Sequence, residues 1–179
     1  MMIALALLGG VAEARTDRGL DRAGYAVFND VAREVRRYVH YTIFDDVNVT
    51  VENGTVTLTG VVTMPFKKDD IGKRAARVAG VAAVRNLITV LPVSTFDDDL
   101  RYRTARAIYG NPNFWSYAAM VNPPIHIIVQ GGRVTLSGTV ATDVDRMLAR
   151  SLASSLGALS VTNALKTDAE VREQLEAID

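Results

Sequence analysis

Cysteine is absent from this chain of 179 residues, which excludes disulfides, thiolate metal sites and thiol catalysis. An excess of one charge is absent too. The 20 Lys and Arg balance 20 Asp and Glu, for a formal net charge of +0. No global field draws the chain to nucleic acid or to an anionic membrane, so electrostatic binding has to come from a local patch. The two histidines, His40 and His126, stand in no H-x-H or H-E-x-x-H spacing, and no shared metal or catalytic role is expected of them. The sequence has no G-x-S-x-G elbow, phosphate loop or dinucleotide fingerprint. It therefore reads as a non-enzyme without a cofactor. No apolar run reaches the ~20 residues of a membrane-spanning helix.

What is present is a segment written twice. VNVTVENGTVTLTG, from Val47 to Gly60, aligns without a gap with IHIIVQGGRVTLSG, from Ile125 to Gly138. A shorter echo follows each: GVAAVRN from Gly80 and GALSVTN from Gly157. The offset exceeds the roughly 20–50-residue period of solenoid repeats, so a small domain has been duplicated. Domains this small are marginal alone, and the copies are expected to pack on each other. The recurring residues are structural, which favours a binding module over an enzyme.

Each repeated segment reads as a β-hairpin. Asn53-Gly54 is a two-residue turn signal, and it pairs Val51 with Val56, Val49 with Leu58 and Val47 with Gly60. Gly131-Gly132 does the same in the second copy, pairing Val129 with Val134, Ile127 with Leu136 and Ile125 with Gly138. Turn chemistry and alternation give one register independently. One sheet face is then apolar. The other carries Asn48, Thr50, Glu52, Thr55, Thr57 and Thr59, or His126, Ile128, Gln130, Arg133, Thr135 and Ser137, and is expected to be largely wet.

Helices flank the hairpins. Val27, Val31, Val35 and Val39 recur every four residues, with Asp45-Asp46 as the stop. Asp97 to Tyr109 is the matching helix of the second copy. After the hairpins, Ile71, Ala75, Val78 and Ala79 share one helix face, and Ala149, Ala153 and Leu156 share another. Gly80 and Gly157 stand where helix C-caps belong. Third strands, Val84 to Leu91 and Val161 to Leu165, follow through a crossover and are expected to pair parallel with a hairpin strand. Thr167 and Glu170 form a capping box that opens a C-terminal helix carrying Val171, Leu175 and Ile178. The fold class is α+β: two tandem αββαβ domains, each a three-stranded sheet covered on one face by two helices. The boundaries are 1–26 for a leader, 27–91 and 97–166 for the domains, and 167–179 for the last helix. In the leader, an apolar run precedes Ala12-Glu13-Ala14, an A-x-A pattern of signal-peptidase sites. A basic n-region is missing, as in a truncated signal peptide. The alternatives are a short buried helix or a frayed terminus.

The hairpin motif G-x-V-x-L-x-G (Gly54 to Gly60, Gly132 to Gly138), the helix with spaced alanines and the G-V-x-x-V-x-N strand (Gly80 to Asn86, Gly157 to Asn163) resemble the BON domain. The paired layout is similar to that of osmotically inducible periplasmic proteins. The resemblance implies residence in the periplasm or at the outer membrane. It also implies binding to phospholipid surfaces or envelope proteins, and a role in envelope integrity under osmotic stress. The second copy departs from the pattern at Ala158 and in a longer connection, GNPNFWSYAAMVNPP from Gly110.

That connection holds the candidate lipid- or partner-binding residues Phe114, Trp115, Tyr117 and Met120, with Tyr109 just before. Its prolines and asparagines argue against a long helix. Trp and Tyr partition well at a lipid interface, and Arg101, Arg103 and Arg106 nearby suit anionic headgroups. The competing expectation is that Phe114 and Trp115 plug the gap between the domains, as most large aromatics are buried. Lys67, Lys68, Lys73, Arg74 and Arg77 form a second basic set, expected to be a solvated helix face. Asp97-Asp98-Asp99 lacks the ligand spacing of a calcium loop and reads as helix N-terminal capping.

Overall fold

The computed structural model describes residues 3–5 and 22–176. The first copy runs β1 (Ile3–Leu5), α1 (Arg22–Arg36), β2 (Asp46–Glu52), β3 (Thr55–Val62), α2 (Pro65–Ala75), β4 (Ala83–Asn86) and β5 (Thr89–Val90). The second runs α3 (Thr95–Tyr109), a 3₁₀ turn at Pro112–Phe114, α4 (Trp115–Ala118), β6 (Ile125–Gln130), β7 (Arg133–Val140), α5 (Asp143–Ser154) and β8 (Ser160–Thr167). α6 (Asp168–Glu176) closes the described chain. Each copy is αββαβ. The hairpin registers are the expected ones, with Val51 opposite Val56 and Val129 opposite Val134. The third strand lies parallel to the second hairpin strand in both.

The recurring glycines at the hairpin ends have a steric cause. Gly60 and Gly138 have φ of +105° and +111°, and a Cβ there would collide with the carbonyl oxygens of Asp46 and Pro124. No other residue type fits without moving the chain that enters the hairpin. The recurring asparagines clip the third strand to the second helix. Asn86 Nδ2 donates to the Lys68 carbonyl at 2.8 Å while its Oδ1 accepts from Ile88 N. Asn163 does the same with Arg146 and Leu165. The first clip breaks the strand into β4 and β5; the second leaves β8 continuous.

Apolar residues from each hairpin and its two helices form a core per copy, around Phe28, Leu58 and Ile71 in one and Leu100, Phe114 and Leu136 in the other. Ala75 and Ala153 are fully buried where the helix meets the sheet. The capping box forms as expected: Glu170 Oε2 accepts from Thr167 N at 2.8 Å and Thr167 Oγ1 accepts from Glu170 N at 3.2 Å.

Several expectations are corrected. α1 starts at Arg22, inside the expected leader, and stops at Arg36. Val39 is therefore off the helix and exposed, and Asp46 belongs to a strand. α2 and α5 are capped at Ala76 and Ser155, not at Gly80 and Gly157, which form later positive-φ turns. Val78 lies beyond the helix yet packs on the core, and Ala79 is exposed. Within the leader, Ile3–Leu5 pairs antiparallel with β2, from Ile3 opposite Val51 to Leu5 opposite Val49. The rest of the signal-like segment, with Ala12-Glu13-Ala14, lies outside the described residues, as does Ile178. Among the described residues, no helix is long and apolar enough to cross a membrane.

Candidate functional site

Two features leave the common scaffold, and both lie in the connection from the first helix to the hairpin. In the first copy, residues 37–45 are tied into a hook by Asp45. This carboxylate is fully buried and accepts from Thr42 N and Oγ1, Thr63 N and Oγ1, and Lys67 Nζ. The Lys67 contact is 2.6 Å, and both side chains are buried. The geometry is complete enough to offset desolvation, which a partly satisfied buried pair would not do. Lys67 therefore leaves the expected solvated basic face. Arg74 is drawn off it as well, pairing with Glu34 at 3.4 Å.

The hook docks on the second copy. The Ile43 carbonyl accepts from Ile127 N at 2.7 Å, at the free edge of β6. Ile43 and Phe44 pack against the second core. Phe44 meets Tyr102 edge-on at 5.2 Å, and the Arg101 guanidinium lies 5.9 Å from its ring centre. Ser137 Oγ donates to Asp46 Oδ2 at 3.0 Å, and the Tyr41 and His126 rings are 5.5 Å apart. The outer sheet face of the second copy is thus not wet throughout: His126, Ile128 and Ser137 are buried. Burial pushes the Asp46 carboxyl up to about 7, held down only by its bond from Ser137. Burial moves His126 below its usual value, against the raising effect of the Asp45 and Thr42 backbone. Burial raises the Tyr41 hydroxyl well above the usual range.

Beside the hook is a cavity of about 230 Å³, lined by Arg36, Tyr41 and Ile43 from the first copy and Val121, Pro124 and His126 from the second. Sequence reasoning missed this site. Its only signal was the Asp45-Asp46 pair, which reads equally well as a helix stop.

The second feature is the aromatic connection, residues 110–124, and the structure divides its candidates. Phe114 is buried in the second core. Tyr117 is a clamp: its hydroxyl donates to Asp145 at 3.0 Å and accepts from Ala141 N at 2.7 Å, which fixes α4 against the start of α5. The Tyr109 hydroxyl donates to the Ile125 carbonyl at 2.6 Å and accepts from Ile125 N at 3.1 Å. None of these three is free to bind. Trp115 is 76 % exposed and Val121 96 %, with Met120 half exposed. Val144 and Met147 of α5 are exposed as well. The gap between the copies is filled by Ile43 and Phe44, and neither Phe114 nor Trp115 plugs it.

The arginines divide too. Arg101 is buried, donating to the Val129 carbonyl at 3.0 Å and pairing with Asp98. Arg103 bonds Asp99 at 2.8 Å and the Leu156 carbonyl at 3.1 Å. Arg106 alone of the three is exposed and unpaired among the described residues. Asp97 does more than face a helix dipole. Its buried carboxylate accepts from Gly131 N at 2.8 Å and Gly132 N at 2.7 Å, holding the hairpin turn, while Ser94 Oγ caps the helix. His40 lies between Tyr38 and Phe66, at 5.4 and 5.5 Å between ring centres. No group of three or more His, Cys, Asp or Glu is placed to hold a metal ion among the described residues.

A family model described as the BON domain matches residues 29–92 and 117–169. The stretch it leaves unmatched between them holds α3 and the first part of the aromatic connection. No curated protein matches the chain. Among solved structures the chain is similar to CdsD, a structural protein of the type III secretion system of Chlamydia trachomatis. Identity is 14 % and the TM-score 0.30, over 84 % of this chain and 97 % of that one. It is similar also to the C-terminal domain of that protein, at 13 % identity and a TM-score of 0.30, over 82 % and 98 % of the two chains.

Proposed function

The chain belongs to the BON domain family, and on that premise we propose that it is a non-enzymatic cell-envelope protein that docks peripherally on phospholipid surfaces. Its role is to support envelope integrity under osmotic or other stress, in the periplasm or at the outer membrane. The observation that carries this reading is the exposed apolar set in the connection of the second copy: Trp115, Met120 and Val121. A rigid clamp through Tyr117 presents it, so insertion orders little that is not already ordered.

Magnitudes decide which force dominates. Burying one large apolar side chain contributes about 1.5–3 kcal/mol. A basic residue near an anionic leaflet contributes about 1 kcal/mol, and Arg101 and Arg103 are already paired. Docking by this surface is therefore mainly apolar, with modest salt dependence. The test is Trp115 emission during titration with anionic and then zwitterionic vesicles. The free protein should emit as an exposed indole and shift to the blue on vesicles, with a modest anionic preference. Emission unchanged by either vesicle rejects the reading.

A second reading has its own observation. Among the described residues β8 pairs only with β7, and no strand of theirs takes its other edge over Ser160–Thr167. Such an edge can take an extended peptide by strand addition, as a periplasmic adaptor would. Saturable capture of an envelope protein without vesicle binding would favour it.

A further inference from the structure

The outer edge of the first hairpin strand is closed in a different way in each copy. Across the two-residue turn, Val47, Val49 and Val51 of β2 aim their N–H and C=O away from β3, and Ile125, Ile127 and Val129 of β6 aim theirs away from β7. In the second copy these groups meet caps from α3 and from the hook. The Tyr109 hydroxyl serves both the N–H and the carbonyl of Ile125. The Ile43 carbonyl takes Ile127 N, and Arg101 donates to the Val129 carbonyl. α1 and α3 are both 15 residues long. Position by position, Phe28 of α1 stands where α3 has Arg101, and Arg36 where it has Tyr109. Phe28 is buried in the first core and has no donor for the Val51 carbonyl. Val47 N reaches the Tyr41 hydroxyl at 3.4 Å. Among the described residues, no side chain caps Val49 or Val51. A strand does so: in β1, Ile3 lies opposite Val51 and Leu5 opposite Val49, antiparallel.

We propose that the outer edge of β2 is a strand-acceptor site. The N-terminal segment of the chain holds it, and when that segment is displaced or removed it takes an extended peptide with apolar residues at alternate positions. Main-chain bonds at Val49 and Val51 supply the affinity. The pleat supplies the selection. Residues opposite Val49 and Val51 share their face of the sheet, and both valines are buried there. Ile3 and Leu5 show the pattern that fits. A charged residue at either position would leave water unpaired and is refused. An edge left bare pairs readily with other chains, which gives β1 its role as a placeholder. The site is separate from the exposed set around Trp115 and does not depend on the membrane reading.

The test uses the full chain, isotope-labelled, as the parent and as Leu5→Pro, which removes a ladder N–H from β1. The probe is a synthetic peptide of residues 2–6, MIALA, with lysine added at both ends for solubility. In the parent the Val49 and Val51 amides should exchange slowly with solvent. In Leu5→Pro they should exchange fast until peptide is added. Leu5→Pro should bind the peptide saturably, with shifts at Val49 and Val51. The parent should bind about tenfold more weakly or worse, because a tethered segment competes at high effective concentration. The same peptide carrying Ile3→Lys and Leu5→Lys should not bind. Fast exchange in the parent overturns the placeholder role. Equal binding by parent and Leu5→Pro overturns the proposal, as does binding of the lysine peptide. Shifts confined to Ser160–Thr167 would move the capture to β8 and overturn it too. A concentration-dependent dimer of Leu5→Pro without peptide capture would give the edge to a second copy instead. Absence of all peptide binding overturns this inference alone, whatever Trp115 does on vesicles.

Discussion

In the first copy, residues 37–45 join helix to hairpin and are held as a hook by Asp45 against the second copy. In the second, residues 110–124 make the same connection, but Trp115 and Val121 face outward. The hairpin registers and the parallel third strand otherwise correspond, while the first sheet also carries β1 and has its third strand broken in two. Duplication supplies two equal scaffolds, and the connection that the fold leaves variable decides what each one does. One is used to join the molecule to itself. The other leaves Trp115 and Val121 exposed. The sheets respond accordingly: the outer face of the first stays half-buried along Thr50, Thr57 and Thr59, while on the second His126 meets Tyr41 and Ser137 meets Asp46 of the first copy.

The largest break in that comparison should come from Asp45→Ala. Removing one partner of a buried pair typically costs about 3–5 kcal/mol, and Lys67 would be left buried and uncompensated. Calorimetry of the full chain should show the first copy melting well below the second. If both copies instead shift together, the hook makes them one cooperative unit and the separate-domain picture fails.

Next come two opposite pH slopes at the same interface. Asp46 holds a raised value of about 7 in the folded chain against 3.8 when free. Between those values the folded state keeps a proton that the unfolded state has lost, so stability falls as pH rises from 4 to 7. His126 is lowered from 6.5. Below that value the unfolded state takes a proton that the folded state refuses, so stability falls as pH drops. Asp46→Asn should gain on the parent by about 2–4 kcal/mol between pH 4 and pH 8, at ~1.4 kcal/mol per pH unit. It should also leave only the His126 slope. His126→Gln should leave only the Asp46 slope. Denaturant melts at three pH values check both, and two variants with slopes of the same sign would contradict the assignment.

A smaller effect tests the second copy alone. Asp97→Ala frees the Gly131 and Gly132 amides, and losing hydrogen bonds to a charged group costs about 1.5–3 kcal/mol. The Trp115-reported transition should move down while the first copy is unchanged. A shift confined to the first copy would show that Asp97 supports the interface and not its own hairpin.

How much of this was legible in the sequence follows from how local each signal is. The hairpin registers were legible because Asn53-Gly54 and the alternation around it point the same way within a few residues. The capping box at Thr167 and Glu170 was legible for the same reason. The interface was not, because its members are loop residues far apart in the chain, such as Asp46 and Ser137. Alternation assigned His126, Ile128 and Ser137 to a wet face, and contacts from Tyr41 and Asp46 of the other copy override it at His126 and Ser137. Within the aromatic connection, composition could not separate Phe114 from Trp115. They are neighbours in sequence, and the turn from the 3₁₀ segment into α4 sends one into the core and the other out.

The smallest expected change in stability belongs to the residue expected to matter most for docking. The Trp115 side chain makes no hydrogen bond and no ring contact among the described residues and is largely exposed, so Trp115→Ser should alter stability by no more than about 0.5 kcal/mol. The same change removes one large apolar side chain from the proposed docking surface. At about 1.5–3 kcal/mol per side chain, vesicle partition should fall roughly tenfold or more. Flotation with anionic vesicles measures it without needing the lost fluorophore. Phe114→Ala supplies the converse. It should cost about 3–5 kcal/mol through a cavity in the second core, while any chain that remains folded keeps its partition. If Trp115→Ser and Phe114→Ala affected partition alike, vesicle binding would reflect exposure of the second core on unfolding, and the outward-facing connection would not be a docking surface.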